Sequence, residues 1–185
     1  MNLLDHKYTA GQVAELSGVS GDTLRDWRRR DILKEFGKIQ GNGRWLYSGN
    51  EILMIAIARA MELNGQTILY GLWMAHHCLV SVIKKIYESH HPNYAEENEY
   101  SGLAKDYVLF WLDKAGSPWI RVQGWELQHL PTNDLADIAK AGAPSVIVVD
   151  IEHLAKSLKP ALINSILHGI AEPGKDGIYV SGESD

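Results

Sequence analysis

The stretch YTAGQVAELSGVSGDTLRDWRRRDIL, residues 8–33, decides the reading of this chain. Thr9 stands where a helix N-cap is needed, and Val13 and Leu16 follow three apart on one face of a short helix. Gly18 supplies the stop. Ser20 caps a second helix over residues 21–30, whose Leu24 and Trp27 are again three apart and face a core. Asp22, Arg25, Asp26 and Arg29 then point broadly the other way. Two capped helices joined by a glycine-containing turn have the geometry that seats the second helix in a DNA major groove, N-terminal residues toward the base edges. On that reading Gly21, Asp22, Thr23 and Arg25 lie where bases are touched, with Arg25 the choice for base readout, and Arg28, Arg29 and Arg30 lie nearer the phosphates. Arg25 and Arg29 are like charges at i,i+4, an arrangement that costs an isolated helix about 0.2–0.5 kcal/mol and points to a partner outside it. Asp26 can offset the repulsion by pairing with Arg29 or Arg30, and a run of charge is also the ordinary form of a solvated helix face.

Residues 34–48, KEFGKIQGNGRWLYS, alternate apolar and polar positions on either side of Gly41, Asn42 and Gly43. That is a hairpin signature, and the spacing predicts a wing over residues 37–47. Lys38 and Arg44 fall on its two arms, placed for phosphate contact, and Trp45 and Tyr47 complete the DNA-facing candidates. The helix expected over residues 51–63, EILMIAIARAMEL, is apolar nearly all round and is expected to be buried, closing the core of this head. Its lone cation, Arg59, is expected to pair with acidic neighbours or to reach solvent over a buried stem.

Residues 8–66 resemble the N-terminal domain of the MerR family of bacterial regulators, on YTAGQVAELSGVSGDTLRDW at 8–27, GRWLYS at 43–48, and the helix 51–63 followed by NGQT at 64–67. The resemblance implies a winged helix-turn-helix that binds double-stranded DNA as a symmetric dimer, a wing that touches backbone, and a C-terminal part for dimerisation or effector recognition. Two departures stand out. The family commonly has two aromatics and an acidic residue after the Leu-Arg of its recognition helix, where this chain has Asp26, Trp27 and Arg28; and its wing commonly reads Gly-Tyr-Arg-Leu-Tyr, where this chain has Gly43, Arg44, Trp45, Leu46 and Tyr47. Related heads occur in phage excision factors and accessory DNA-binding proteins. A DNA-architectural or recombination accessory protein, and an adaptor that has lost its DNA contacts, are therefore the alternatives to a transcriptional regulator.

A long helix is expected over about residues 66–89. Its stripes run through Ile68, Leu72, Ala75, Leu79, Val82 and Ile86, broadened by Leu69, Trp73, Val80, Ile83 and Tyr87. Such a helix is long for a small head to bury alone, so Leu69, Leu72, Trp73, His76, Leu79, Val80, Ile83 and Ile86 are expected to meet a second copy, the other reading being a helix packed only against the chain's own C-terminal half; the family resemblance implies an antiparallel contact. His76, His77 and Cys78 are adjacent and lack metal-site spacing, so neither a metal nor another cofactor is expected.

Residues 91–99, HPNYAEENE, read as a linker. Beyond them the spacing suggests a helix over 102–114, a strand over 119–125, a helix over 134–140, a buried strand over 145–149 and a helix over 151–168. That alternation predicts two parallel strands joined by a crossover. Asp150 is expected to cap the last helix, although a catalytic or metal-binding carboxylate at a strand end is the other reading. Glu126, His129 and Asp134 have no nucleophile beside them, and no phosphate loop accompanies either strand, so no catalytic residue is assigned and an enzyme is not expected.

The fold class is thus α+β: a winged helix-turn-helix over 1–66, a long connecting and dimerisation helix over 67–91, a small C-terminal α/β unit over 100–170, and a flexible tail over 171–185. Of 185 residues, 45% are hydrophobic and 22% charged, the composition of a folded globular chain. The net charge of -5 hides an asymmetry, since residues 1–50 carry eight Lys or Arg against six Asp or Glu and the remainder ten against seventeen. Only the face that meets phosphate must be positive. Cys78 is the single cysteine, and no leader or membrane-spanning stretch is read, so a cytoplasmic, nucleoid-associated homodimer is expected, with a small-molecule or protein effector left open at the C-terminal half.

Overall fold

The computed structural model describes residues 7–41, 43–90, 107–111, 127–128 and 146–169. The chain opens with β1 (Lys7–Thr9), α1 (Ala10–Ser17) and α2 (Gly21–Arg29). Thr9 makes a capping box with Gln12, its amide donating to Gln12 Oε1 at 2.8 Å, and Gly18 ends α1 in the left-handed region at φ 76°. Ser17 Oγ reaches back to Val13 O at 2.6 Å and receives Val19 N–H at 3.3 Å, which satisfies the turn from within. Ser20 caps α2 by accepting from Thr23 N at 3.0 Å.

The wing forms as expected, from β2 (Lys38–Ile39) and β3 (Trp45–Ser48) closed by Gln40 N–H to Arg44 O at 2.8 Å. β1 adds itself to the other edge of β3, so the sheet order is β1-β3-β2, antiparallel throughout. Gly37 enters the wing at φ 71°, and a Cβ there would come within 3.0 Å of Leu46 O, so the position needs glycine on both counts.

α3 (Gly49–Leu63) starts on a second capping box, Ser48 with Glu51, and packs against α1 and β3. Arg59 pairs with Glu62 one turn on. α4 (Ile68–His90) lies against α3 and, at 23 residues, extends about 34 Å.

The C-terminal part contributes β4 (Tyr107–Trp111), β5 (Leu127–Gln128), β6 (Val146–Asp150), α5 (Ile151–Ser157) and α6 (Pro160–Gly169). With the head and α4 they make an α+β fold whose last part is a small α/β unit. Two expectations are corrected here. Tyr107–Trp111, inside the expected helix 102–114, is a strand, because a run of aromatic and aliphatic residues has strand propensity and five residues are too few for periodicity to separate strand from helix. The described strands pair antiparallel, in the order β5-β4-β6, with Tyr107 opposite Asp150 and Trp111 opposite Val146, while the parallel pair expected between 119–125 and 145–149 involves residues outside the described ones. The helix expected over 151–168 is two helices. Leu158 ends the first of them in extended geometry at ψ 152°, and Pro160, which has no N–H to continue it and keeps Lys159 out of helical geometry, opens the second. The linker over 91–99, the strand over 119–125, the helix over 134–140, the tail, and the Glu126, His129 and Asp134 group lie outside the described residues.

A single core runs through all of this. Val13, Leu24, Trp27 and Tyr47 of the head, Ile52, Ile55 and Ile57 of α3, Met74, Cys78 and Val82 of α4, and Ile151, Leu154, Leu162 and Ile166 of α5 and α6 belong to one buried cluster. Burial pushes the Cys78 thiol up to about 12, so it is an inert apolar filler. None of the described helices is long and apolar enough to cross a membrane.

Candidate nucleic-acid interface

The outer face of α2 is built by default from what its inner face must do. Leu24 and Trp27 are buried, 2% and 3% exposed, which turns Asp22, Arg25 and Arg29 to solvent. Gly21 is open, with nothing within 4 Å of where a Cβ would stand. Thr23 is half-buried and its hydroxyl lies 2.8 Å from Ser20 Oγ, so it serves the cap before anything else.

Each arginine of this face has a carboxylate one turn back. Arg25 Nη2 is 2.5 Å from Asp22 Oδ1, and Arg25 Nε also donates to Gly21 O at 3.2 Å. Arg29 Nη2 is 2.6 Å from Asp26 Oδ1, and Arg30 Nη1 lies 3.4 Å from Asp26 Oδ2. The hydrogen bond from Arg29 is the main reason the Asp26 carboxyl sits below its usual range. The like-charge repulsion read from Arg25 and Arg29 is therefore offset within the helix itself. Exposed pairs of this kind are weak and screened by solvent, so they can be exchanged for phosphate or base contacts at small cost.

Arg28 does something different. Its Nη1 donates to Leu33 O at 2.5 Å, and its Nη2 to Phe36 O at 2.7 Å and to Tyr47 Oη at 2.9 Å. The guanidinium lies over the Trp45 ring, 3.6 Å from its centroid. Tyr47 is itself only 2% exposed. The sequence places Arg28, Trp45 and Tyr47 among the outward candidates, whereas the structure gathers all three into a joint between α2 and the wing. A signal was present in the sequence: Leu24, Trp27 and Arg28 fall at i, i+3 and i+4, the spacing of one buried stripe.

Lys38 and Arg44 are exposed on the two arms of the wing. The wing's base is held by a residue that sequence reasoning passed over. Glu51 Oε1 accepts Gly37 N–H at 2.7 Å while its Oε2 accepts Ser48 N–H at 2.6 Å, so one carboxylate ties the wing to the start of α3. The Ser-x-x-Glu pattern at 48–51 was the available cue.

The expected dimerisation residues divide. Leu72 and Ile86 are 7% and 2% exposed and belong to the protein's own core, because α4 packs that face on α3, α5 and α6. Leu79 is half-buried against the same core. Leu69, Trp73, His76, Val80 and Ile83 form a second stripe at steps of four and three, with Leu69 44% and Val80 56% exposed and Trp73 and Ile83 half-buried. Trp73 stacks on Tyr70 with centroids 5.6 Å apart and meets His77 edge-on at 4.7 Å. Burial and then the neighbouring His76 hold the His77 imidazole below its usual range, so it stays uncharged at neutral pH. Among the described residues no three His, Cys, Asp or Glu side chains are grouped to hold a metal.

Asp150 accepts from His153 N at 2.9 Å and is the N-cap of α5, the simpler of its two readings. A cleft of about 280 Å³ between the end of α4 and α5 is edged by Lys85, Glu88, Glu152 and Lys156, whose charges already pair with one another. At the far end of this helical pair, Lys159 Nζ donates to Glu15 O at 3.0 Å and its stem covers Gly18, the turn between α1 and α2.

No curated protein matches the chain. Residues 8–68 match the family model described as MerR HTH family regulatory protein. With the capped helix pair, the three-stranded wing sheet and the buried α3 in place, residues 8–68 are a MerR-family winged helix-turn-helix regulatory domain, a head of the DNA-binding, transcription-regulating kind.

Proposed function

We propose that the protein is a dimeric, sequence-specific DNA-binding transcriptional regulator that reads an inverted repeat, α2 entering the major groove and the wing following the backbone. The observation that carries this reading is the division of the arginines: Arg25 and Arg29 stand exposed on a helix whose other face is locked into the core, while Lys38 and Arg44 stand exposed on the wing beside it. A two-fold dimer with one such helix per copy requires matching half-sites. Selection from random duplexes is expected to return an inverted repeat, bound with an affinity that falls steeply as salt is raised, because phosphate contacts release counterions. Selection that returns no sequence, or association that salt leaves unchanged, favours the adaptor instead.

Two substitutions separate the roles within this face. Arg25→Ala is expected to relax preference at one base-pair position, costing about 1–3 kcal/mol on the selected site. Arg44→Ala is expected to weaken selected and random DNA alike and to reduce the salt slope by about one. Equal losses on both DNAs in both variants would remove the division of labour.

The second copy is assigned to the exposed stripe of α4. Leu69, Trp73, His76, Val80 and Ile83 carry no fixed charge and are spaced as a coiled-coil seam. Val80→Glu puts a carboxylate into that seam. The variant is expected to sediment as a monomer and to lose about 100-fold or more in affinity for the full repeat, since the second half-site is then no longer reached intramolecularly. A Val80→Glu protein that remains dimeric places the interface elsewhere.

In this reading the C-terminal half supplies the regulatory input through α5 and α6, and Lys159 supports it by touching α1. A small-molecule or protein effector would act by favouring one position of that helical pair over another.

A further inference from the structure

The wing is too small to hold its own position. β2 is two residues long, and a two-stranded hairpin of that length is at best marginal in water. Glu51 fixes the point where the chain enters it, and β1 pairs with its far strand, yet neither links it to α2. The one described side chain seen to bind α2, the connecting turn and β3 together is Arg28. It leaves α2 at its last turn, takes the carbonyls of Leu33 and Phe36 in the turn, and meets Trp45 and the Tyr47 hydroxyl on β3.

Residues 28 and 45 are also where the chain departs from the pattern of the family it resembles, an acidic residue being usual at the first and an arginine at the second. The structure brings the two departures into contact, 3.6 Å from guanidinium carbon to ring centroid. A guanidinium is suited to this position because it is flat, carries its donors in a fixed fork and stacks on an indole without losing them. Stability alone does not account for it. Arg28 Nε is buried with no acceptor among the described residues, a penalty that an apolar residue of similar length would not incur.

We infer that Arg28 is a positioning residue, which with Trp45 sets the angle of the wing against the recognition helix and so lets Arg25 and Arg44 engage one duplex together. The functional half of this inference rests on the DNA-binding reading above; the mechanical half does not. Arg28→Lys separates it from a simple phosphate contact, since an ammonium keeps the charge but cannot stack flat and offers its donors from one nitrogen in place of a planar fork.

The decisive measurement is amide exchange in the free, full-length protein. In Arg28→Lys the Gln40 and Gly43 amides of the wing are expected to exchange on the order of tenfold faster while α3 and α4 keep their protection. Affinity for the selected repeat is expected to fall on the order of tenfold, and Arg44→Ala is expected to add little on the Arg28→Lys background, because a wing that has lost its angle has already lost that contact. Unchanged wing exchange with retained affinity would overturn the inference and return Arg28 to the phosphates. If Arg28→Lys loses protection everywhere, Trp45→Leu decides by the same amides, as its half-buried site tolerates an apolar replacement: faster wing exchange supports the joint, and unchanged exchange overturns it. If the wing amides respond but the unaltered protein binds no duplex, the joint stands and the DNA-binding reading falls.

Discussion

Leu162→Ala in α6 is expected to destabilise the DNA-binding head, although Leu162 lies far from it in sequence. The side chain is 0% exposed and belongs to the same buried cluster as Val13 of α1 and Val19 of the turn that follows it. α6 packs against α1 and α4, so a cavity at Leu162 loosens helices that belong to the head. Loss of a buried leucine to alanine costs about 2–5 kcal/mol, depending on how far the surroundings collapse. For a marginally stable protein that is a large share of the total. Denaturant unfolding is expected to show one transition moved to lower concentration, with the amides of α1 and α2 losing protection together with those of α6. Undiminished protection in α1 and α2 would show that the head stands alone and that the shared core is energetically irrelevant to it. The functional consequence follows from the same packing. A C-terminal unit that shares a core with the head can alter the head's stability and position, whereas one on a tether cannot.

Gly71→Val is expected to have the other large effect, through the angle between α3 and α4. A Cβ built on Gly71 falls 2.9 Å from Ala58 O and 3.3 Å from Ala58 Cα. The obstacle is backbone, which cannot rotate away, so the two helices must separate. Helix propensity by itself favours alanine over glycine by about 1 kcal/mol. Overpacking typically costs about 1–3 kcal/mol, so Gly71→Ala is expected to be neutral to destabilising and never to realise that gain. Valine adds two further methyl groups and a stiff branch, and a loss on the order of 3 kcal/mol is expected in thermal or denaturant unfolding. Stabilisation by Gly71→Ala of about the full helix-propensity gain would mean that α3 and α4 do not approach this closely.

The head was legible in the chain because its signals are local. Thr9, Ser20, the glycines around the wing and the three-residue spacing of Val13, Leu16, Leu24 and Trp27 each act within a few residues, and local chemistry of that kind survives into the fold unchanged. Asp150 as a cap belongs to the same class. The exposed arginines were legible for a related reason, since burying Leu24 and Trp27 leaves Arg25 and Arg29 only one direction to face. What the tertiary structure alone decided are the choices between equivalent local options. α4 is apolar on two faces, and nothing in its periodicity ranks Leu72 and Ile86 above Leu69 and Val80; the choice depends on where α3, α5 and α6 arrive. A five-residue apolar run such as Tyr107–Trp111 is a strand because partners on both sides supply its hydrogen bonds. Arg28 faces inward because the turn and β3 present three acceptors and an indole to it, a constellation drawn from residues 33–47. Lys159 meets the carbonyl of a residue 144 positions earlier, a contact that no window along the chain contains. Local propensity is a property of neighbours in sequence; the partner that satisfies a long polar side chain or covers a second apolar face is a property of neighbours in space.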